Sequence, residues 1–112
     1  MSIFEKIANR EIAAKIVYEE DDLLAFHDVN PQAPVHVLII PKRCIPRIGE
    51  ARESDGPLLG RLLLAAPKIA KLLGVDESGY RLVINHGPDA GESVPHLHVH
   101  LLAKRHLAWP PG

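Results

Sequence analysis

The sequence predicts an α+β domain with a five-stranded, largely antiparallel sheet, one long helix and one short helix. Three observations predict it. Short segments rich in Val, Ile, Leu and Phe fall into a group of three before the long helix and a group of two after it. A single apolar stripe at helical spacing separates the groups, and the links between consecutive strands are short enough for antiparallel neighbours.

The elements follow in order. Ser2 with Glu5 three residues later has the form of a capping box, and Ile3, Phe4 and Ile7 then recur at near-helical spacing to about Asn9, which predicts a short N-terminal helix. Segments 15–18, 23–28 and 35–40 read as strands, separated by the acidic turn Glu19 to Asp22 and by Asn30-Pro31-Gln32-Ala33-Pro34. Pro34 has no N–H, so the third strand must start after it. From about Asp55 the residues Leu59, Leu62, Leu63, Ala66, Ile69, Ala70 and Leu73 form the long stripe, which stops at Gly74. Pro57 suits the first turn of this helix, whereas Pro67 lies inside the stripe and predicts a kink or a break. Segments 80–86 and 96–103 read as the last two strands, joined by the loop Gly87 to Pro95.

Composition bounds the partners. A chain of 112 residues with 46% hydrophobic content supports one core, so residues 1–112 are read as a single domain without internal repeats. Thirteen Lys and Arg against fourteen Asp and Glu leave a net charge of -1, which disfavours a nucleic-acid partner. The lone Cys44 has no partner for an intramolecular disulfide, and charges occupy the N-terminal stretch where a signal peptide is apolar, so a cytoplasmic setting is expected. The longest apolar runs, such as Val35 to Ile40, fall short of the ~20 residues that span a bilayer, and no membrane association is expected.

The most informative stretch is His96-Leu97-His98-Val99-His100-Leu101-Leu102. In a strand, alternating residues point to opposite faces, so three imidazoles share one face at intervals of about 6–7 Å while Leu97, Val99 and Leu101 enter the core. A lone histidine there would read as ordinary solvated surface, but histidine is not a favoured strand residue, and three in register risk mutual repulsion if protonated. Two chemistries fit: a metal site, or a nucleophile oriented by its neighbours. The preceding loop favours the second. It carries Gly87, Gly91 and Ser93, which can offer N–H groups and a hydroxyl to an anion, and it has no cysteine. Imidazole attacks phosphorus well at neutral pH when a hydrogen bond from its other nitrogen fixes the tautomer, and His98, flanked on both sides, is the candidate nucleophile.

Residues 96–102 match the signature His-φ-His-φ-His-φ-φ, with φ apolar, and the sequence resembles the histidine triad family. Phe26-His27-Asp28, Pro31-Gln32-Ala33-Pro34-Val35-His36, Ile40-Pro41-Lys42, Gly79-Tyr80-Arg81, Asn85 and Trp109-Pro110-Pro111-Gly112 extend the resemblance over nearly the whole chain, toward the Hint branch of nucleoside phosphoramidate hydrolases. That resemblance implies a homodimer whose two sheets continue across a two-fold axis into ten strands, with the tail from about residue 104 to 112 at the interface and Trp109 on the leaving-group side. It implies that His98 attacks the α-phosphorus of a purine nucleotide, releasing a nucleoside monophosphate and an amine through a nucleotidyl-histidine, with no cofactor and no metal. His96, His100 and His36 complete the constellation, the main-chain carbonyl of His96 holds the His98 tautomer, and Ser93 or His100 protonates the leaving amine. Asp28 corresponds to the carboxylate that takes the ribose hydroxyls. Ile3, Phe4, Ile7, Phe26, His27, Val29 and Leu38 match the base pocket, and Asn85, Gly91, Ser93 and Val94 the phosphate side. Pro95, Cys44 and Pro67 depart from better-known members, Pro95 next to the leaving-group side. The rival readings are a non-catalytic nucleotide-binding or scaffold protein, a dinucleoside polyphosphate hydrolase and a metal-dependent hydrolase.

Overall fold

The computed structural model describes all residues, Met1–Gly112. Helix α1 spans Ile3–Ala8, and strands β1 Ile16–Glu20, β2 Leu23–His27 and β3 Val35–Pro41 follow. Helix α2 spans Gly56–Leu72, and strands β4 Tyr80–Val83 and β5 Val99–Ala103 complete the fold, with 3₁₀ turns at Ile48–Glu50, Glu53–Asp55 and Pro88–Ala90. All pairings are antiparallel, in the order β1-β2-β3-β5-β4. The α+β class and the five-stranded antiparallel sheet agree with the expectation.

The sheet has two unlike faces. Leu23, Ala25, Val37, Ile39, Val99, Leu101 and Ala103 point to one side and pack with Leu58, Leu62, Ala65, Ala66, Ile69 and Ala70 of α2 in the main core. On the other side Leu24, Phe26, Leu38 and Ile40 form a smaller buried cluster with Phe4 and Ile7 of α1. Burial on both faces explains why β2 and β3 read as continuous apolar runs. Directly paired residues share a face, so Leu38 opposite His100 places that imidazole on the α1 side. The capping box is formed: Ser2 Oγ accepts from Glu5 N at 3.0 Å and Ser2 N donates to Glu5 Oε1 at 3.0 Å, an arrangement worth about 1 kcal/mol to a helix this short.

Four expectations are corrected. Strand β5 starts at Val99, not His96, because continuing the β3–β5 register would set Leu97 opposite Pro41, and proline has no N–H for a further rung. The chain there bonds elsewhere, with Leu97 N donating to Ile45 O at 2.6 Å. Strand β4 ends at Val83, whose partner is His100 near the start of β5, so little strand remains for 84–86 to pair with. Strand β1 takes in Glu19 and Glu20, paired with Leu24 and Leu23, so the turn shrinks to Asp21-Asp22. Charged residues are tolerated there because β1 is an edge strand. Finally, α2 passes through Pro67 without a break. Of the kink or break expected there, the break does not occur: Pro67 is exposed while Ala65, Ala66, Ile69 and Ala70 are buried, so residues on both sides of it pack into the core and keep the helix continuous. Gly74, at φ +70°, then ends the helix.

Pro67→Ala is expected to restore an N–H for the carbonyl of Leu63 at an exposed position and to stabilise the fold by about 1–3 kcal/mol. Urea unfolding of the two proteins measures this, and a less stable alanine variant would show that the missing bond is not limiting.

Candidate active site

The site lies on the α1 side of the sheet, where rings from β3, β5 and the segment just before β5 form a contiguous row. Ring centroids of His36 and His100 are 5.1 Å apart, those of His98 and His100 4.9 Å. Phe4 closes the row from α1, edge-on to His98 at 5.0 Å and to His96 at 5.9 Å, and itself rests on Phe26 at 5.5 Å. His36, His96 and His98 are buried and His100 is half-buried.

Fixed partners set each tautomer, because a carbonyl only accepts and a backbone N–H only donates. His96 Nε2 lies 2.7 Å from Pro41 O and therefore carries the hydrogen, so its Nδ1 accepts from Ser2 Oγ at 2.7 Å. His98 Nδ1 lies 2.7 Å from the carbonyl of His96 and donates to it. Its Nε2 is left without a hydrogen-bond partner. Gln32 N–H donates to His36 Nδ1 at 3.0 Å, so His36 Nε2 bears the hydrogen that bridges to His100 Nδ1 at 2.9 Å, with Asp28 Oδ2 at 3.4 Å. His100 then presents an Nε2–H.

The electrostatics of His36, His96 and His100 favour their neutral forms. Burial pushes His100 down to about 4, helped by His98 and His36 and opposed by Asp28. Burial also lowers His36, against the pull of Asp28, and lowers His96, against its bond to Pro41. His36, His96 and His100 thus surround, as oriented dipoles, the one imidazole nitrogen of the row left to accept, His98 Nε2, an arrangement suited to nucleophilic attack on an electrophile whose oxygens need hydrogen-bond donors.

The other sequence-predicted residues divide into groups. Asp28 reaches the row through His36 and takes Asn30 N–H on Oδ1 at 2.9 Å. It lines an open cleft of about 790 Å³ with His27, Val29, Pro34 and His36. Phe4, Ile7, Phe26 and Leu38 belong to the buried cluster on this face, whereas Ile3 is 50% exposed on α1 and Val29, which lines the cleft, is 99% exposed. Asn85 and Val94 are half-buried, Gly91 adopts φ +75° after the Pro88–Ala90 turn, and Ser93 is exposed with no bond to the imidazoles. Trp109 stands away from the row, 81% exposed in a tail whose Leu107 and Ala108 carbonyls take bonds from Arg81.

Several supporting groups had no signal in the sequence. Ser2 and Pro41 engage His96 across 94 and 55 positions. Glu92 anchors the loop before the triad: its carboxylate accepts from Arg47 Nε and Nη2 at 3.0 Å each and from Gly87 N–H at 3.1 Å. Arg47, then Gly87, hold its pKa down to about 2, so this acid is consumed inside the loop's own anchor. Arg47 also pairs with Glu50, and the His86 ring sits over Gly49, where a Cβ would meet Cε1 at 2.3 Å. Two groups bring metal-ligand atoms within 4.8 Å of one another: Asp28, His36 and His100, and Glu5, Cys44 and His96. In both, the imidazole nitrogens are engaged in the hydrogen bonds above, and an ion would have to displace them.

Comparison with known proteins is consistent over the whole chain. The HIT domain family matches residues 9–107. An uncharacterized HIT-like protein of Synechocystis sp. is 55% identical over 99% of this chain and 96% of its own length. A HIT family hydrolase from Legionella pneumophila superposes with a TM-score of 0.97 at 46% identity, covering 100% of both chains. A histidine triad nucleotide-binding protein from Candida albicans gives a TM-score of 0.87 at 31% identity, over 98% of this chain and 83% of that one.

The buried imidazoles make stability depend on acid. The folded state keeps His100 neutral down to about pH 4, while an unfolded histidine takes up its proton near pH 6.5. Between these values the unfolded chain binds more protons, so stability is expected to fall as pH drops through that window. Urea unfolding at pH 7, 5.5 and 4.5 measures it, and a flat profile would contradict the neutral row.

Proposed function

The chain belongs to the HIT domain family, and on that premise we propose that it hydrolyses the P–N bond of purine nucleoside phosphoramidates of the adenosine 5′-phosphoramidate type. The observation that carries this reading is the committed Nδ1–H of His98, 2.7 Å from the His96 carbonyl, which leaves Nε2 as the one free imidazole lone pair of the row. The names of two relatives, a HIT family hydrolase and a histidine triad nucleotide-binding protein, support hydrolysis and nucleotide binding as its two halves.

In this reaction His98 Nε2 attacks the α-phosphorus, a P–N bond to the ring forms as the bond to the amine breaks, and the amine leaves with a proton. Water then attacks the nucleotidyl-His98, returning the lone pair to Nε2 and releasing the monophosphate. Neutral His100 offers an N–H and no charge, which suits it to hold a phosphoryl oxygen. The exposed Ser93 hydroxyl is then left on the leaving-group side to pass a proton from solvent. Asp28, which lines the cleft with His27 and Val29, takes the ribose hydroxyls on its carboxylate, and the base lies on the side of Val29, Ile3 and Phe4. Asn85, Gly91 and Val94 border the phosphate. No cofactor enters these steps.

We also propose a homodimer through β4. Edge strand β1 is guarded by Glu19, Glu20 and a register irregularity, whereas β4, Tyr80–Val83, carries only Arg81 as a charge and is open on one side. Antiparallel pairing of two β4 strands gives the ten-stranded sheet. Arg81 also ties the tail beside that edge, so a partner there meets Trp109. The lone cysteine and the lack of any helix long and apolar enough to cross a membrane fit a cytoplasmic enzyme.

His98→Ala is expected to lose turnover of adenosine phosphoramidate by ~10³-fold or more while still binding adenosine monophosphate. Acid-quenched wild-type enzyme should carry a nucleotide adduct on the peptide containing residue 98. Normal turnover by the alanine variant, or faster cleavage of diadenosine polyphosphates by the wild type, would overturn the assignment. Sedimentation velocity is expected to give twice the 12.3 kDa chain mass, and a monomer at micromolar concentration would remove the β4 interface.

A further inference from the structure

We propose that Ser2, the N-cap residue of α1, is a positioning residue that holds the first triad imidazole and, through that residue's carbonyl, the nucleophile. The inference rests on His98 being the nucleophile. Its basis is a continuous chain of hydrogen bonds in which no group has an alternative orientation.

Glu5 N–H donates to Ser2 Oγ at 3.0 Å, and that same oxygen lies 2.7 Å from His96 Nδ1. Because His96 Nε2–H is spent on Pro41 O at 2.7 Å, Nδ1 must accept and the serine hydroxyl must donate. The His96 ring is therefore pinned at both nitrogens, to the start of α1 and to the end of β3. It is fully buried, so both partners come from the protein itself. The carbonyl of the same residue takes the His98 Nδ1–H at 2.7 Å.

This arrangement matters because His96 and His98 lie ahead of β5 and have no ladder to fix them. What a cross-strand partner does for His100, the two ring bonds of His96 do for its own peptide unit. Ser2 also docks α1 against the row, and α1 brings Phe4 edge-on to His98 at 5.0 Å. A hydroxyl is needed for this double role, since one oxygen must accept from an amide and donate to a ring nitrogen together. Threonine meets the requirement and alanine does not.

The test compares Ser2→Ala, Ser2→Thr and Glu5→Ala in the full-length protein. Glu5→Ala removes the reciprocal half of the capping box, the Glu5 Oε1 acceptor for Ser2 N–H, without touching the bond to His96. It therefore reports what a weaker helix cap and the loss of the carboxylate beside His96 do together, with the Ser2–His96 bond left in place. Ser2→Ala is expected to lower kcat for adenosine phosphoramidate by about 10-fold or more with KM changed by less than about 3-fold, an acid–base-scale effect. Ser2→Thr should restore kcat to within about 2-fold, and Glu5→Ala should keep it there. Equal kcat losses in Ser2→Ala and Glu5→Ala, or a wild-type kcat in Ser2→Ala, would overturn the proposal.

A second readout is independent of turnover. In ¹⁵N imidazole spectra of the ligand-free protein, His96 is expected as the Nε2–H tautomer and His98 as the Nδ1–H tautomer. In Ser2→Ala the His96 Nδ1 resonance should move downfield as it loses its donor. An Nδ1–H tautomer at His96 in the wild type would overturn the proposal whatever the kinetics. If the spectra are as expected but His98→Ala remains active, the nucleophile assignment fails instead, and the two failures are told apart.

Discussion

Packing four imidazoles against one face of a sheet with a single tautomer at each is the constraint on which the site depends, and the main chain meets it. The carbonyls of Pro41 and His96 and the amide of Gln32 each have only one hydrogen-bonding sense. Together they dictate which nitrogen of His96, His98 and His36 holds the hydrogen, and His100 follows from His36. A backbone group cannot reverse its sense as a hydroxyl or a second imidazole can, while burial lowers the pKa values of His36, His96 and His100.

The sheet makes this constraint affordable by separating tasks between its faces. The α2 side carries the large core of 16 buried residues. The α1 side carries a cluster of only 6 and hands the rest of its area to the histidines, Asp28 and the cleft. Leu38 and His100 are direct partners, so the floor of the site and the reactive row are adjacent rungs of one ladder. The loop before the triad is fastened separately, by Glu92 onto Arg47, and its anchor is independent of either core.

Much of this was legible in the sequence, and the remainder fails for identifiable physical reasons. The strand groups, the α2 stripe and the Ser2–Glu5 cap are local patterns, and each appears in the structure. The histidine alternation put three rings in a row, but alternation cannot register where a strand's partner runs out, so the start of β5 was misread by three residues. Pro67 was judged by its own missing N–H, whereas the buried residues around it decide the helix. The bond from Ser2 to His96 joins the two ends of the chain, and nothing in either local segment announces it. Arg47 and Glu92 likewise look like ordinary surface charges until the fold brings them together.

The imino acid that closes β3 has an effect on what aims the nucleophile. Because Pro41 ends the ladder, the peptide bearing His98 hangs from hydrogen bonds at its flanks, not from a row of rungs. In the proposed reaction a nitrogen must travel from a near-attack distance of about 3–3.5 Å to a covalent bond and back. Over that excursion the aim of the nitrogen is set by the two ring bonds of His96 and by its carbonyl, and sheet register has no direct hold on it.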